Sequence, residues 1–131
     1  MGICVALGIC SALMSPAEIK GQAFSLDGDT LYVNHQAVRL WGVDAEELSE
    51  PNGYRARAAL QDIVRDATVV CTAAGASYKR TVARCRVGDT DVGEAIIKAG
   101  AALDCARYSG GHYRKSEPPA ARQRLKQKPY C

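Results

Sequence analysis

Between residues 27 and 47 the chain carries carboxylates and an arginine at a spacing suited to attack on a phosphate ester. Asp27-Gly28-Asp29-Thr30 opens one β-prone run, Arg39 lies midway along the next, and Asp44-Ala45-Glu46-Glu47 closes it. Carboxylate oxygens hold hard divalent cations, and a guanidinium grips phosphate bidentately with a permanent charge. A further carboxylate can take a proton from an attacking water. The residue types therefore supply the parts for metal-assisted phosphodiester hydrolysis.

Those side chains need elements that bring them together. Gly21–Leu26 reads as extended, and Asp27-Gly28-Asp29 as a turn in which Asp27 caps rather than binds metal. Thr30–Val33 and Val38–Trp41 are β-prone runs flanking Asn34-His35-Gln36, a hairpin loop that leaves His35 exposed. Such a hairpin returns Asp44 to the neighbourhood of Asp29, and two carboxylates that close repel unless a cation lies between them. Asn52 is a candidate N-cap for a helix in which Ala56, Leu60 and Ile63 or Val64 recur at helical spacing. Thr68–Thr72 and Thr81–Val87 read as strands joined by a loop over 73–77. Val92–Ala99 reads as a helix ended by Gly100, and Ala101–Cys105 as an extended run. Pro118 and Pro119 suit the first turn of a final helix over 120–126. Trp41 reads as a core residue. Five short strands with interspersed helices predict a small closed barrel of the α+β class.

At 131 residues the chain is one domain with a modest core, and its apolar content of 47% excludes disorder over most of its length. The net charge of +3 says less than its distribution. From Arg107 to Lys128 there are seven Lys/Arg against the single acid Glu117. That segment is either a solvated face or an attraction for a polyanion. Residues 1–17 carry no charge, run apolar through Met14 and end in Ser15-Pro16-Ala17. This is the pattern of a secretory signal, though without the usual basic start, and it is short for a membrane span. The remaining 18–131 then form the folded domain, in an oxidising compartment, periplasmic or secreted.

Removal of that segment leaves Cys71, Cys85, Cys105 and Cys131, an even number that suggests two disulfides with three possible connectivities. Zinc is excluded by spacing, since no CxxC pair occurs and only His35 and His112 could assist. Cys71 and Cys85 fall on neighbouring strands of one hairpin and could bridge, which would leave Cys105 to join Cys131.

In combination, Asp27-Gly28-Asp29-Thr30, Val38-Arg39-Leu40-Trp41-Gly42-Val43-Asp44-Ala45-Glu46-Glu47 and Tyr78-Lys79-Arg80-Thr81-Val82-Ala83 resemble the staphylococcal nuclease-like (thermonuclease) family. Asp91-Val92-Gly93, Gly100-Ala101-Ala102 and Tyr108 extend the likeness from about Gly21 to the C-terminal end. The resemblance implies a five-stranded OB-fold barrel with about three helices. It also implies calcium-dependent hydrolysis of DNA or RNA by a monomer, with attack on the 5′ side leaving 3′-phosphate ends. By position, Asp29, Asp44 and the Ala45 carbonyl match metal ligands, and Arg39 and Arg80 match phosphate-binding arginines. Glu47 matches the general base, and Tyr78 and Tyr108 match substrate-contacting tyrosines.

Two departures stand out. Glu46 replaces the proline usual before the general base, which removes a restraint and adds charge beside the phosphate site. It can face solvent, raise metal affinity or weaken nucleic-acid binding. Lys79 stands where glycine is common, so the loop before Arg80 can shift. The rival to a nuclease is a weakly active or non-catalytic OB module that binds nucleic acid or protein. Retention of Asp29, Arg39, Asp44, Glu47 and Arg80 together favours the enzyme, because a binding module needs neither Asp29 nor Glu47.

Overall fold

Asn34 and His35 adopt left-handed backbone angles of φ 46° and 63°, as a two-residue hairpin of the primed type requires. They join β2 (Thr30–Val33) to β3 (Gln36–Leu40), with Thr30 opposite Arg39. The computed structural model describes residues 17–77 and 80–131; residues 1–16 of the expected signal and the substrate-contact candidate Tyr78 lie outside the described residues.

β1 (Glu18–Asp27) is long enough to serve two neighbours. Its first half pairs antiparallel with β5 (Thr68–Ser77) and its second half with β2. β5 turns back antiparallel onto β6 (Arg80–Val87), and β6 pairs in parallel with β3 through Val38–Thr81, Arg39–Val82 and Leu40–Ala83. That last pairing closes β1, β2, β3, β5 and β6 into a barrel, the expected five-stranded OB-type architecture. Alternate residues point inward, so Leu31, Val33, Val38, Leu40, Val69 and Ala83 fill the interior at 0–2% exposure.

A two-residue strand β4 (Val43–Asp44) leaves the barrel and later pairs with β8 (Leu103–Asp104). Between them come α1 (Gly53–Val64), β7 (Thr90–Asp91) and α2 (Val92–Lys98). α1 buries Ala56, Leu60 and Val64, and α2 buries Val92, Ile96 and Ile97. After β8 come α3 (Ala106–Ser109), a 3₁₀ turn (Arg114–Ser116) and α4 (Ala121–Arg124). The described residues thus hold four α-helices where about three were expected. Among them, no helix is long and apolar enough to cross a membrane.

Several local expectations are corrected. The segment 73–77 continues β5 through a bulge at Ala73/Gly75 instead of looping, because it keeps its partners on β6. Asn52 does occupy the N-cap position of α1, but its side chain caps nothing there and binds Glu46 instead. The final helix is one turn, Leu125 after it packs on Leu103 and Ala121, and the chain beyond is irregular and ends in a turn in which the Cys131 N–H donates to the Lys128 carbonyl. Trp41 packs against the core while one side remains open, with the Arg84 guanidinium 4.8 Å over its ring.

Two disulfides, Cys71–Cys85 and Cys105–Cys131, match the pairing suggested by the strand reading. The first crosses between directly opposed residues of β5 and β6. The second ties the residue after β8 to Cys131 and so draws the last segment back over β4.

Tyr113 joins the two sides of the fold. Its ring is buried, and its hydroxyl donates to both Asp91 carboxylate oxygens at 2.9 and 3.0 Å. Asp91 in turn caps α2 by accepting from the Glu94 N–H. Burial, then the Asp91 carboxylate, pushes the Tyr113 phenol well above its ordinary pKa, so it stays a donor at all working pH. Tyr113→Phe is expected to cost about 1.5–3 kcal/mol, the range for hydrogen bonds to charged groups, read as a lower urea midpoint at unchanged slope.

Candidate active site

The turn between β1 and β2 is held from within: the Asp27 carboxylate accepts the Asp29 N–H at 3.0 Å, as a turn cap does. Gly28 lets this turn lie against the next layer, since a Cβ there would fall 2.5 Å from Ala56 and 2.6 Å from Ala45. The result is that Asp29 sits beside the β4 exit loop at 5% exposure. Its Oδ2 accepts the Ala45 N–H at 3.0 Å and pairs with Arg39 Nη1 at 2.7 Å. Its Oδ1 accepts the Thr30 hydroxyl at 3.2 Å, and Arg80 Nη1 reaches that hydroxyl at 3.4 Å. A hydrogen-bonded chain therefore links both arginines to Asp29. Their common face follows from register: Arg39 lies opposite Val82, and Arg80 shares the face of Val82 on the pleat.

Burial raises the Asp29 carboxyl above the usual carboxylate range, with the Arg39 charge opposing it. Burial also works against the Arg39 charge, but Asp29 first, then Tyr130, Asp27 and Asp44 outweigh it and hold the guanidinium protonated.

Asp44 is 2% exposed at the end of β4. Glu47, beyond it, keeps 57% of its side chain exposed and anchors its backbone by donating its N–H to Glu50 at 2.8 Å. Gly53 makes room for this loop, because a Cβ there would fall 1.9 Å from the Glu47 carbonyl.

One group at the centre of this arrangement was not foreseen. The Lys128 ammonium lies 2.9 Å from Asp44 Oδ1, 2.6 Å from the Ala45 carbonyl, 3.5 Å from Glu47 Oε1 and 3.7 Å from Asp29 Oδ2. Burial opposes its charge, yet Asp29, Asp44 and Glu47 together hold its pKa above the ordinary lysine value. The ammonium marks a cation position on which oxygens of Asp29, Asp44, Glu47 and the Ala45 carbonyl converge. By donor chemistry that set fits a hard divalent ion. It is an open set: among the described residues no three His, Cys, Asp or Glu side chains form a metal cage.

Arg39 and Arg80 face a cleft of about 360 Å³ that is also lined by Trp41, Arg107, Tyr108 and Tyr130. Tyr108, 55% exposed, meets Tyr130 edge to face at 6.3 Å, and Arg107 lies 5.9 Å from the Tyr108 ring. His112 turns instead toward Arg84, Trp41 and Tyr113. The basic segment seen in the sequence is largely consumed by internal pairing. Arg114 and Arg122 pair with Glu117, Lys126 with Glu50 and Lys128 with the site, while Arg124 donates to the Gly100 carbonyl. Arg107 is its member that faces the cleft.

Glu46 does not face solvent. It is 4% exposed, accepts from Asn52 Nδ2 at 2.6 Å, and accepts the Lys126 N–H at 3.3 Å. The Glu46 carboxylate thus receives the chain that delivers Lys128. Lys128, Arg107 and Tyr130 escaped sequence reasoning; the one available signal was the charge of the C-terminal segment, which gave no indication of its path.

No curated protein matches this sequence significantly. A family model described as staphylococcal nuclease homologue matches residues 37–128, well over half of the chain. The closed barrel is the architecture that family implies, and the match spans β3 through Lys128; the chain belongs to the staphylococcal nuclease homologue family.

Proposed function

We propose that this protein is an exported, calcium-dependent nuclease that hydrolyses DNA or RNA phosphodiesters as a monomer. The observation that carries the reading is the bonded cluster of Asp29, Arg39 and Ala45, to which Lys128 joins Asp44, beside the cleft lined by Arg39 and Arg80. The family membership supports nucleic acid as the substrate class. The two disulfides and the uncharged N-terminal stretch support export.

In this reading Asp29, Asp44 and the Ala45 carbonyl would hold calcium, which would supply charge neutralisation at the phosphate. Arg39 and Arg80 bind the phosphate's non-bridging oxygens, where negative charge grows during attack. Glu47, exposed and backbone-anchored, takes the proton of the attacking water, a role typically worth about 10²–10⁴ in rate. Tyr108, with Tyr130 beside it, offers aromatic faces on which a base can stack. Attack on the 5′ side leaves a 3′-phosphate and a 5′-hydroxyl.

A second reading, an OB module that binds nucleic acid without cutting it, is favoured by Lys128, which already supplies a cation to the oxygen set. Incubation of the protein with single-stranded and duplex DNA, in calcium and then in chelator, separates the two. The nuclease reading expects cleavage that needs calcium. Retained binding with no cleavage at high protein concentration establishes the module instead.

A further inference from the structure

Lys128 reaches the cation position through a purpose-built path. α4 is fixed to β8: Arg122 donates to the Asp104 carbonyl at 3.2 Å and pairs with Glu117, which accepts the Asp104 N–H at 2.9 Å. Gln127 Nε2 adds a bond to the same Asp104 carbonyl at 2.8 Å. Glu46 accepts the Lys126 N–H, and Asp44 Oδ2 accepts the Lys128 N–H at 2.9 Å. The Cys105–Cys131 disulfide closes the segment on its far side. Lys128 is thereby held at both ends, with 19% of its side chain exposed.

We infer that Lys128 and a divalent ion compete for one set of oxygens, so that docking of the segment 125–131 and metal binding exclude each other. Calcium takes oxygen ligands at about 2.3–2.6 Å. The Lys128 nitrogen is 2.9 Å from Asp44 Oδ1 and 2.6 Å from the Ala45 carbonyl, so ion and ammonium claim the same volume. Charge permits the exchange: Asp29, Asp44 and Glu47 carry three negative charges, which Arg39 and a divalent ion in the place of Lys128 would balance. Glu46 and Cys131 act as positioning residues for the lysine. This inference rests on the proposed nuclease only for the choice of calcium as the ion.

The test is calorimetric titration of CaCl₂ alone, without nucleic acid, into the oxidised full chain and its Lys128→Met and Cys131→Ser variants. Lys128→Met keeps the length of the side chain and removes its charge, while Cys131→Ser keeps the lysine and frees its tether. Lys128→Met is expected to bind calcium roughly 10–100-fold more tightly than wild type, as for a site open in only a few per cent of molecules. Cys131→Ser is expected to fall between the two. Equal affinities in wild type and Lys128→Met overturn the competition and leave the nuclease reading standing. Absence of calcium binding in both proteins also overturns it. Tighter binding by Lys128→Met, with no DNA cleavage by either protein, upholds the competition and overturns the nuclease reading.

Discussion

Arg80→Ala is expected to lower turnover on DNA by about 10³–10⁵-fold, the span seen when an arginine that stabilises a phosphoryl transition state is removed. The fold should barely notice. Among the described residues Arg80 makes no ion pair, and its hydrogen bond is the 3.4 Å contact to the Thr30 hydroxyl. Truncation therefore strands no buried charge, and the stability change should stay within about 0.5 kcal/mol. The assay compares kcat in saturating calcium with the urea midpoint. Activity within a few-fold of wild type would mean that Arg80 does not reach the phosphate in the transition state.

Arg39→Ala should cost both activity and stability, and the difference between the two arginines is a matter of burial. Arg39 is the 2.7 Å partner of a carboxylate that is 5% exposed. Removing one member of such a pair typically costs about 3–5 kcal/mol, and Lys128, 3.7 Å from Asp29 Oδ2, should hold the loss to the lower end. The loss should also depend on pH. Burial lifts the Asp29 pKa in the fold above its unfolded value, and Arg39 opposes that lift, so the variant raises it further. A carboxyl whose pKa is raised by folding contributes stability at pH below its unfolded value, and loses it as pH rises through the folded value. The penalty of Arg39→Ala should therefore be largest at neutral pH and shrink in acid, where a protonated Asp29 needs no partner. Urea unfolding at pH 7 and at pH 4 measures this directly; a penalty independent of pH would contradict the assignment of the pair. Arg39→Lys should recover much of the stability, because it restores the charge. It should recover little of the turnover, because an ammonium cannot reproduce the guanidinium's bidentate grip.

The contrast shows what local pattern can and cannot convey. The Asp27 cap, a hairpin turning at Asn34 and His35 and the run from Val38 to Asp44 were legible because turn chemistry and a period of two act over a few residues, although Gln36, read as part of the loop, already pairs with Val33 in β3. The disulfide pairing was legible for the same reason, since Cys71 and Cys85 fall on strands that a hairpin must oppose. The continuation of β5 through 73–77 was not legible. Its small residues look like a loop, and the strand persists only because β6 supplies partners across a bulge. Asn52 was legible as the N-cap position but not in its bonding, since its amide donates to Glu46, outside the helix, and caps nothing.

By itself the sequence determined that this is a small closed barrel of the staphylococcal nuclease kind, with its carboxylates and arginines on one hairpin and a neighbouring strand. Those facts lie in residue type and short spacing, which the backbone converts into position by rules that hold everywhere. Only the tertiary structure decided what fills the space between the carboxylates. Lys128 lies 84 residues from Asp44, on a segment with no periodicity to report where it goes. Its path depends on a disulfide, a buried Glu46 and the β4–β8 pairing acting at once. An isolated lysine in a basic run carries no mark of that convergence, because the favourable energy of the contact exists only after the oxygens it binds have been brought together.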